Sequence, residues 1–282
     1  MQRVAALIDL ALSEDLADRG DTTSKSVIPA DARAFGVLYA KSDCVLAGLA
    51  VAEAVFKKLD PQCEFKYIMH DGDKCPAKTV IAEITGNAVA MLTAERTALN
   101  FIQRLCGVAT MANAYAACVK ESSMQILDTR KTTPGWRNLE KYAVAVGGAS
   151  NHRIGLFDRI MIKDNHREMA GMEGEGGILR SVERARKAYP DLEIEVEVDT
   201  LEELDEALQS GCEYILLDNM STAMMAEAVK RNNGKAKLEA SGNITIERLP
   251  EIAAVGVDFA SSGALTHSVK SADISLDIKP LK

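Results

Sequence analysis

The residues best able to do chemistry crowd into one window. Between Thr129 and Arg167 stand eight cations, Arg130, Lys131, Arg137, Lys141, Arg153, Arg159, Lys163 and Arg167, against three acids, Glu140, Asp158 and Asp164. The whole 282-residue chain has a net charge of −8, so this is a local basic cluster in an acidic protein, suited to a small polyanion. A solvated basic face would have the same composition. Arg130 and Lys163, however, close the apolar runs beginning at Ile126 and Ile160, and residues at the inner ends of buried strands are held in place. Within the window, Gly147-Gly148, then Asn151-His152-Arg153 and Gly155, supply a tightly turning backbone followed by an imidazole and a guanidinium. An isolated histidine is more often a structural hydrogen-bonder, but the company of Arg153, Arg130 and Lys131 turns His152 toward ligand binding.

A second constellation is acidic. In Glu193-Ile194-Glu195-Val196-Glu197-Val198-Asp199 the period of two places the apolar residues on one face and four carboxylates on the other. On an exposed edge this would be a solvated face. Inside a barrel, close carboxylates need a cation or hydroxyl donors. Glu197 and Asp218, near the ends of consecutive strands, are candidates for ribose hydroxyls or for Mg²⁺ carried on phosphates, without a preformed metal cage. Ser241-Gly242-Asn243 and Ser261-Ser262-Gly263 end the last two strands, positions where β/α barrels often cup a phosphate. His70, His166 and His267 have no comparable neighbours and stay unassigned, although His166 lies just past Lys163.

The elements that must position these groups follow from periodicity. From Gln125 onward, apolar runs at Ile126–Asp128, Ile160–Asp164, Ile194–Asp199, Tyr214–Asp218, Lys237–Ser241 and Val257–Ser262 alternate with helical segments at Ile178–Ala188, Leu201–Gln209, Thr222–Arg231 and Ile246–Ala254. Six or more successive βα units favour a closed or nearly closed parallel β/α barrel over an open doubly wound sheet, with chemistry at the carboxyl ends of its strands. Upstream, helices over Val4–Leu12 and Ala47–Leu59 and short strands at Ala34–Ala40 and Glu64–Ile68 form an α+β domain. Leu92–Cys106 is a strong helix, with a turn expected at Gly107–Thr110. The glycine-dense stretch Gly171–Gly177 reads as a loose loop.

Composition excludes several classes. With 47% hydrophobic and 26% charged residues the chain is globular rather than disordered. Its negative charge disfavours nucleic acid and anionic membrane, and Leu46–Phe56, its longest apolar stretch, is too short to span a bilayer. The amphipathic, acidic start is unlike a secretory signal, so a cytoplasmic protein is expected. The six cysteines form no CxxC pair and read as reduced packing residues; with no Cys/His cluster, a structural zinc is not expected.

Taken together, Leu127-Asp128-Thr129-Arg130-Lys131-Thr132-Thr133-Pro134-Gly135, Asn151-His152-Arg153-Ile154-Gly155-Leu156-Phe157-Asp158 and Ile162-Lys163-Asp164-Asn165-His166 resemble the quinolinate phosphoribosyltransferase family, the decarboxylating nicotinate-nucleotide pyrophosphorylases. Supporting segments run from Gly20-Asp21-Thr22-Thr23 to Gly263-Ala264-Leu265-Thr266-His267-Ser268. Departures from the family pattern are Ala149-Ser150, where a third glycine is common, and Cys106, where serine is commoner.

The resemblance implies an amino-terminal α/β sandwich over residues 1–107, completed by 270–282, joined to a TIM-like barrel over 108–269. It implies a homodimer or a hexameric trimer of dimers. Quinolinate would be met by Arg130, His152, Arg153 and Lys163, with Arg96 reaching in from a partner subunit. Lys131, Glu197 and Asp218 would hold phosphoribosyl pyrophosphate with Mg²⁺, and Ser241, Gly242, Asn243, Ser262 and Gly263 its 5′-phosphate. Lys131, Lys163, Glu197 and Asp218 are the expected catalytic groups. Two other readings compete: an aldolase-like lyase with Lys163 as a Schiff-base nucleophile, and a barrel kept as a non-enzymatic binding module. The first leaves the acidic face without a purpose, and the second predicts loss of charged groups that are all present.

Overall fold

The computed structural model describes residues 2–281. In chain order, α1 (Gln2–Leu16) and α2 (Thr22–Val27) precede β1 (Arg33–Ala40), β2 (Cys44–Val45), α3 (Leu49–Leu59), β3 (Glu64–Tyr67), β4 (Lys74–Cys75), β5 (Val80–Asn87) and the long α4 (Ala88–Cys118). Next come β6 (Gln125–Leu127), α5 (Arg137–Val146), β7 (Ile160–Ile162), α6 (Asp164–Gly171), α7 (Gly177–Ala188), β8 (Ile194–Val198), α8 (Leu201–Ser210) and β9 (Tyr214–Asp218). The chain ends with α9 (Thr222–Asn232), β10 (Lys237–Ser241), α10 (Leu249–Val255), β11 (Phe259–Ser261), α11 (Ala264–His267) and β12 (Ile274–Pro280).

Two compact units result. The first comprises the chain up to Asn113, Thr133–Gly148 and the segment from Ser268 on. Its antiparallel sheet has the order β12-β1-β5-β3, and β12 returns to pair with β1 from Ala34 opposite Pro280 to Ala40 opposite Ile274. Alternate residues of β1 are buried, as the period of two requires of a sheet with one covered face, and Leu38, Ile81, Ile84, Phe101, Ile102 and Leu105 are fully buried in this unit.

The turn expected at Gly107–Thr110 is absent, because α4 continues as one helix to Cys118. Gly107 marks a close approach instead: a Cβ there would come within 2.4 Å of the Lys270 carbonyl oxygen. Residues 133–148, expected within the barrel domain, belong to the first unit. Trp136 stacks on Phe101 with ring centroids 4.7 Å apart, and the fully buried Glu140 receives Arg104 at 2.8 Å and the Thr133 hydroxyl at 2.9 Å.

The second unit, Ala114–Thr132 with Ala149–His267, is an incomplete TIM-like barrel of six parallel strands in the order β6-β11-β10-β9-β8-β7. Between β7 and β6 the ring is open; β6 makes one further parallel bridge, Leu127 with Ser150. All five residues of β8 are buried, which marks a strand covered on both faces. Local chemistry fixes the helices: the Thr200 and Ser221 hydroxyls cap α8 and α9 by accepting the Glu203 and Met224 amides, and Gly211 and Gly256 end α8 and α10 in left-handed conformation. Among the described residues all six cysteines are free; five are buried and Cys118 is half-buried. No helix of the described residues is long and apolar enough to cross a membrane.

Candidate active site

Because paired residues in a parallel sheet share a face, the register sorts the barrel interior into rows. Met161 pairs with Glu195, and Glu197 with Leu216. Asp218 pairs with Ser241, and Glu239 with both Leu216 and Phe259. Counted along each strand toward its carboxyl end, the upper row of that face carries Glu197, Asp218 and Ser241 together with Lys163, which follows β7. Two residues earlier on the same strands the face carries Met161, Glu195, Leu216 and Glu239.

In the upper row the Lys163 ammonium is hydrogen-bonded to the Glu197 carboxylate. Lys163 keeps 43% of its side-chain surface against 12% for Glu197, so its head is open to a ligand. Its backbone N–H donates to His166 Nδ1 at 2.9 Å, which fixes the start of α6. A lysine held by a carboxylate in an accessible row is placed to attract anions, rather than to serve as the desolvated amine of a Schiff-base enzyme.

Asp218 is half-buried and accepts the Asn219 side-chain amide at 2.8 Å. The Asn219 N–H donates to the Ser241 carbonyl at 3.0 Å. Gly242 follows with φ +83°, and a Cβ on it would fall 2.1 Å from Asn219 Oδ1; no other residue type fits that turn unstrained. Ser262 is buried, its N–H donating to the Leu127 carbonyl at 3.0 Å and its hydroxyl to the Ile244 carbonyl at 3.2 Å. Lys131 runs beside the same loop: a Cβ on Gly263 would come within 2.9 Å of Lys131 Cδ and 2.8 Å of the His267 ring. The Thr266 hydroxyl donates to the Lys131 carbonyl at 2.8 Å.

The His-Arg segment is anchored from beneath. Asp128 is fully buried and accepts the His152 N–H and the Asn151 side chain, each at 2.8 Å. Arg153, 9% exposed, donates to the Arg159 carbonyl at 3.1 Å and to Met161 Sδ at 3.4 Å. Burial and then the neighbouring Arg130 push its pKa below the usual arginine value. Asp158 closes the following turn by accepting the Ile154 and Gly155 amides at 2.6 and 2.8 Å, leaving Leu156 and Phe157 more than two-thirds exposed.

His152 points inward. Its Nε2 lies 3.0 Å from Glu195 Oε2 and 3.3 Å from Glu239 Oε2, and its Nδ1 accepts the Arg153 N–H at 2.7 Å. Burial alone would lower its pKa, but the two carboxylates outweigh burial and favour a proton on the ring. Its ring nitrogens thus face protein groups, where a nitrogen presented to quinolinate was expected.

The structure brings Lys131, Lys163, Glu197, Asp218, the Ser241–Asn243 turn and Ser262-Gly263 onto one unit, with the exposed Arg130 close enough to Arg153 to act on its charge. Arg96 is exposed on α4 of the first unit. Sequence reasoning left out Glu239 and gave Asp128, Arg159 and His267 no individual role. Asp128 and Glu239 each had a signal, an acid within or closing an apolar strand; His267 lies one helical turn after Gly263, its N–H donating to the Gly263 carbonyl at 3.0 Å. A cavity of about 500 Å³ borders the strand ends at Asp164, Asp199, Glu203 and Glu206, with Arg167 as its one basic lining residue. That lining has the wrong sign for two anionic substrates, so charge rather than concavity marks the site.

Comparison with known proteins agrees with this geometry. The family model for the quinolinate phosphoribosyl transferase C-terminal domain matches residues 108–277, and that for the N-terminal domain matches residues 21–106. A probable nicotinate-nucleotide pyrophosphorylase [carboxylating] of Bacillus subtilis is 44% identical over 92% of this chain and 88% of its own length. A mitochondrial quinolinate phosphoribosyltransferase [decarboxylating] of Nicotiana glauca is 42% identical over 96% of this chain and 81% of its own. The crystal structure of NadC from Streptococcus pyogenes matches with a TM-score of 0.94 at 37% identity, covering 100% of this chain and 98% of that one. With both domain models, these sequences and this fold in agreement, the chain belongs to the quinolinate phosphoribosyl transferase family.

Proposed function

We infer that this protein transfers the phosphoribosyl group of phosphoribosyl pyrophosphate to the ring nitrogen of quinolinate and releases CO₂, forming nicotinate mononucleotide and pyrophosphate for NAD biosynthesis. The observation that carries this reading is the upper row of the barrel. There a cation and carboxylates from successive strand ends, Lys163, Glu197 and Asp218, adjoin the Lys131–Gly263 contact and the Ser241–Asn243 turn. Such an alternation suits two anionic substrates, one of which also carries hydroxyls.

In this reading Arg130, Arg153 and Lys163 meet the two quinolinate carboxylates. Lys131 offsets charge on the departing pyrophosphate. Glu197 and Asp218 accept ribose hydroxyls, and the Ser241–Asn243 and Ser262-Gly263 turns receive the 5′-phosphate. Held side by side, the nitrogen attacks the anomeric carbon as the pyrophosphate leaves. The ring is then a pyridinium, whose positive nitrogen stabilises the electron pair left on the neighbouring ring carbon when its carboxylate departs as CO₂. That carbon next gains a proton, for which Lys163 is the donor we place nearest.

Mg²⁺ fits as a companion of the phosphates rather than as a resident ion. Glu197 is already engaged by Lys163, and the half-buried Asp218 is the carboxylate left facing a cation brought in on substrate oxygens. When bound, Mg²⁺ neutralises charge on pyrophosphate.

The test is product formation from quinolinate, phosphoribosyl pyrophosphate and Mg²⁺, with nicotinate in a parallel reaction. Nicotinate mononucleotide from quinolinate alone supports the reading; product from nicotinate alone, or from neither, contradicts it. We also propose a homodimer in which Arg96, exposed on α4, completes the partner's site. Mixing Arg96→Ala chains with Lys163→Ala chains should then restore part of the activity that each lacks, and no recovery after verified subunit exchange would sink that arrangement. A cytoplasmic location is part of the same proposal, although plant relatives carry organellar names.

A further inference from the structure

Glu195 lies two residues before Glu197 on β8, and Glu239 two before Ser241 on β10. Each therefore enters the barrel roughly 6–7 Å nearer the amino end of its own strand than that neighbour. They meet His152 there, and the three side chains are 0%, 1% and 5% exposed. No substrate atom need reach them, and the reaction as described does not use the two glutamates.

An imidazole and two carboxylates within 4.8 Å of one another have the composition of a divalent-metal site. The geometry at Nδ1 argues otherwise. A metal on Nε2 would take that nitrogen's lone pair and leave the ring proton on Nδ1, the pattern in which metal-bound histidines donate from their second nitrogen. Here Nδ1 accepts the Arg153 N–H at 2.7 Å, and a proton on Nδ1 would collide with that donor. The carboxylates draw a proton onto the ring, and with Nδ1 closed by the Arg153 N–H that proton sits on Nε2, 3.0 Å from Glu195 Oε2 and 3.3 Å from Glu239 Oε2.

One N–H cannot satisfy two bare carboxylates in a dry interior, and their surroundings differ. Arg159 Nη1 lies 3.7 Å from Glu195 Oε2, which gives Glu195 a cation besides the histidine. Glu239 faces His152, Ser261 and the Glu195 charge, and burial first, then that charge, raises its pKa. The two carboxylates are therefore not equivalent.

The chain of contacts leads to substrate. Asp128 holds the His152 N–H, Nδ1 holds the Arg153 N–H, and the Arg159 carbonyl holds the Arg153 guanidinium. We propose that His152, Glu195 and Glu239 form a metal-free positioning layer that fixes Arg153 for the dicarboxylate substrate. This rests on the reaction proposed above, and the two can fail separately.

The test compares Glu239→Gln, Glu239→Leu and Glu195→Gln in the full chain. A glutamine keeps the size and the hydrogen-bonding capacity of Glu239, which leucine lacks, so Glu239→Gln should keep both KM values and kcat within about twofold of wild type. Glu195→Gln and Glu239→Leu should raise the quinolinate KM roughly tenfold or more, while leaving the phosphoribosyl pyrophosphate KM within about twofold. A layer that only supports the fold would instead lower the melting temperature and kcat without separating the two KM values. Equal damage from Glu239→Gln and Glu239→Leu would overturn the assignment.

A second readout needs no turnover. Histidine ¹⁵N NMR of the folded protein, with the His152 signal identified by its loss in His152→Asn, should show a protonated Nε2 and an unprotonated Nδ1. The opposite tautomer, or loss of the Nε2 proton on adding one equivalent of Zn²⁺, would favour a metal site. If the wild type makes no nicotinate mononucleotide but the tautomer is as stated, the reaction assignment fails while the proton arrangement stands.

Discussion

Glu197 and Glu195 stand on one strand, face the same interior and have the same side chain, yet the barrel uses them differently. Glu197 pairs with a lysine whose side chain is 43% exposed. An ion pair so close to water is worth about 0–1 kcal/mol, so Lys163 can exchange its protein carboxylate for a substrate carboxylate at little cost. Glu195 is sealed at 0% exposure against His152, and removing one member of such a buried set typically costs about 3–5 kcal/mol. Depth, rather than residue type, separates the row that meets ligands from the row that holds the first in register.

If the upper row does chemistry, Lys163→Ala should cost most. We expect kcat to fall roughly 10²–10³-fold, the scale of removing one preorganised charge from a transition state, with a melting temperature close to wild type. A kcat within a few-fold of wild type would place the chemistry elsewhere.

Gly242→Ala should sharpen the division within the upper row. The new Cβ meets Asn219 at 2.1 Å in a left-handed turn, strain of order 1–3 kcal/mol, and should raise the phosphoribosyl pyrophosphate KM about tenfold or more. Steady-state kinetics should show the quinolinate KM unmoved; if both rise together, the turn is not a separate phosphate cup.

The smallest effect is expected at the amino end of the barrel. Glu213 accepts the Ile194 N–H and Arg186 Nη1, each at 2.9 Å. Burial alone would raise its pKa, but these donors outweigh burial and lower it. A depressed folded pKa means the contribution is present above the unfolded carboxylate value of about 4.3 and is lost as pH falls through the folded value. Glu213→Gln should therefore cost about 1 kcal/mol at pH 7, discounted for solvent screening, and nothing in kcat. In denaturant titrations the gap to wild type should close below about pH 4; a gap that persists there would mean the loss is not electrostatic.

Much of this arrangement was legible in the sequence because strand periodicity is local. The alternation of Glu195 and Glu197 with valines announced an acidic inner face, and the run into Lys163 announced a cation at a strand end. What stayed hidden depended on contacts far apart in the chain. Gly107 looked like a helix end because nothing nearby reveals the Lys270 carbonyl pressing on it. Residues 133–148 read as part of the barrel because only the fold brings Trp136 onto Phe101 and Arg104 onto Glu140. The inward turn of His152 was equally out of reach, since Glu195 and Glu239 lie 43 and 87 positions further along.

The central claim is that decarboxylation follows ribosyl transfer, because the pyridinium nitrogen is what stabilises the electron pair left on the ring carbon when CO₂ departs. The direct measurement uses quinolinate labelled in the carboxyl group beside the nitrogen, following labelled CO₂ and nicotinate mononucleotide together. The account predicts one CO₂ per mononucleotide and none when phosphoribosyl pyrophosphate is omitted. CO₂ released without phosphoribosyl pyrophosphate, or mononucleotide formed without CO₂, would contradict it.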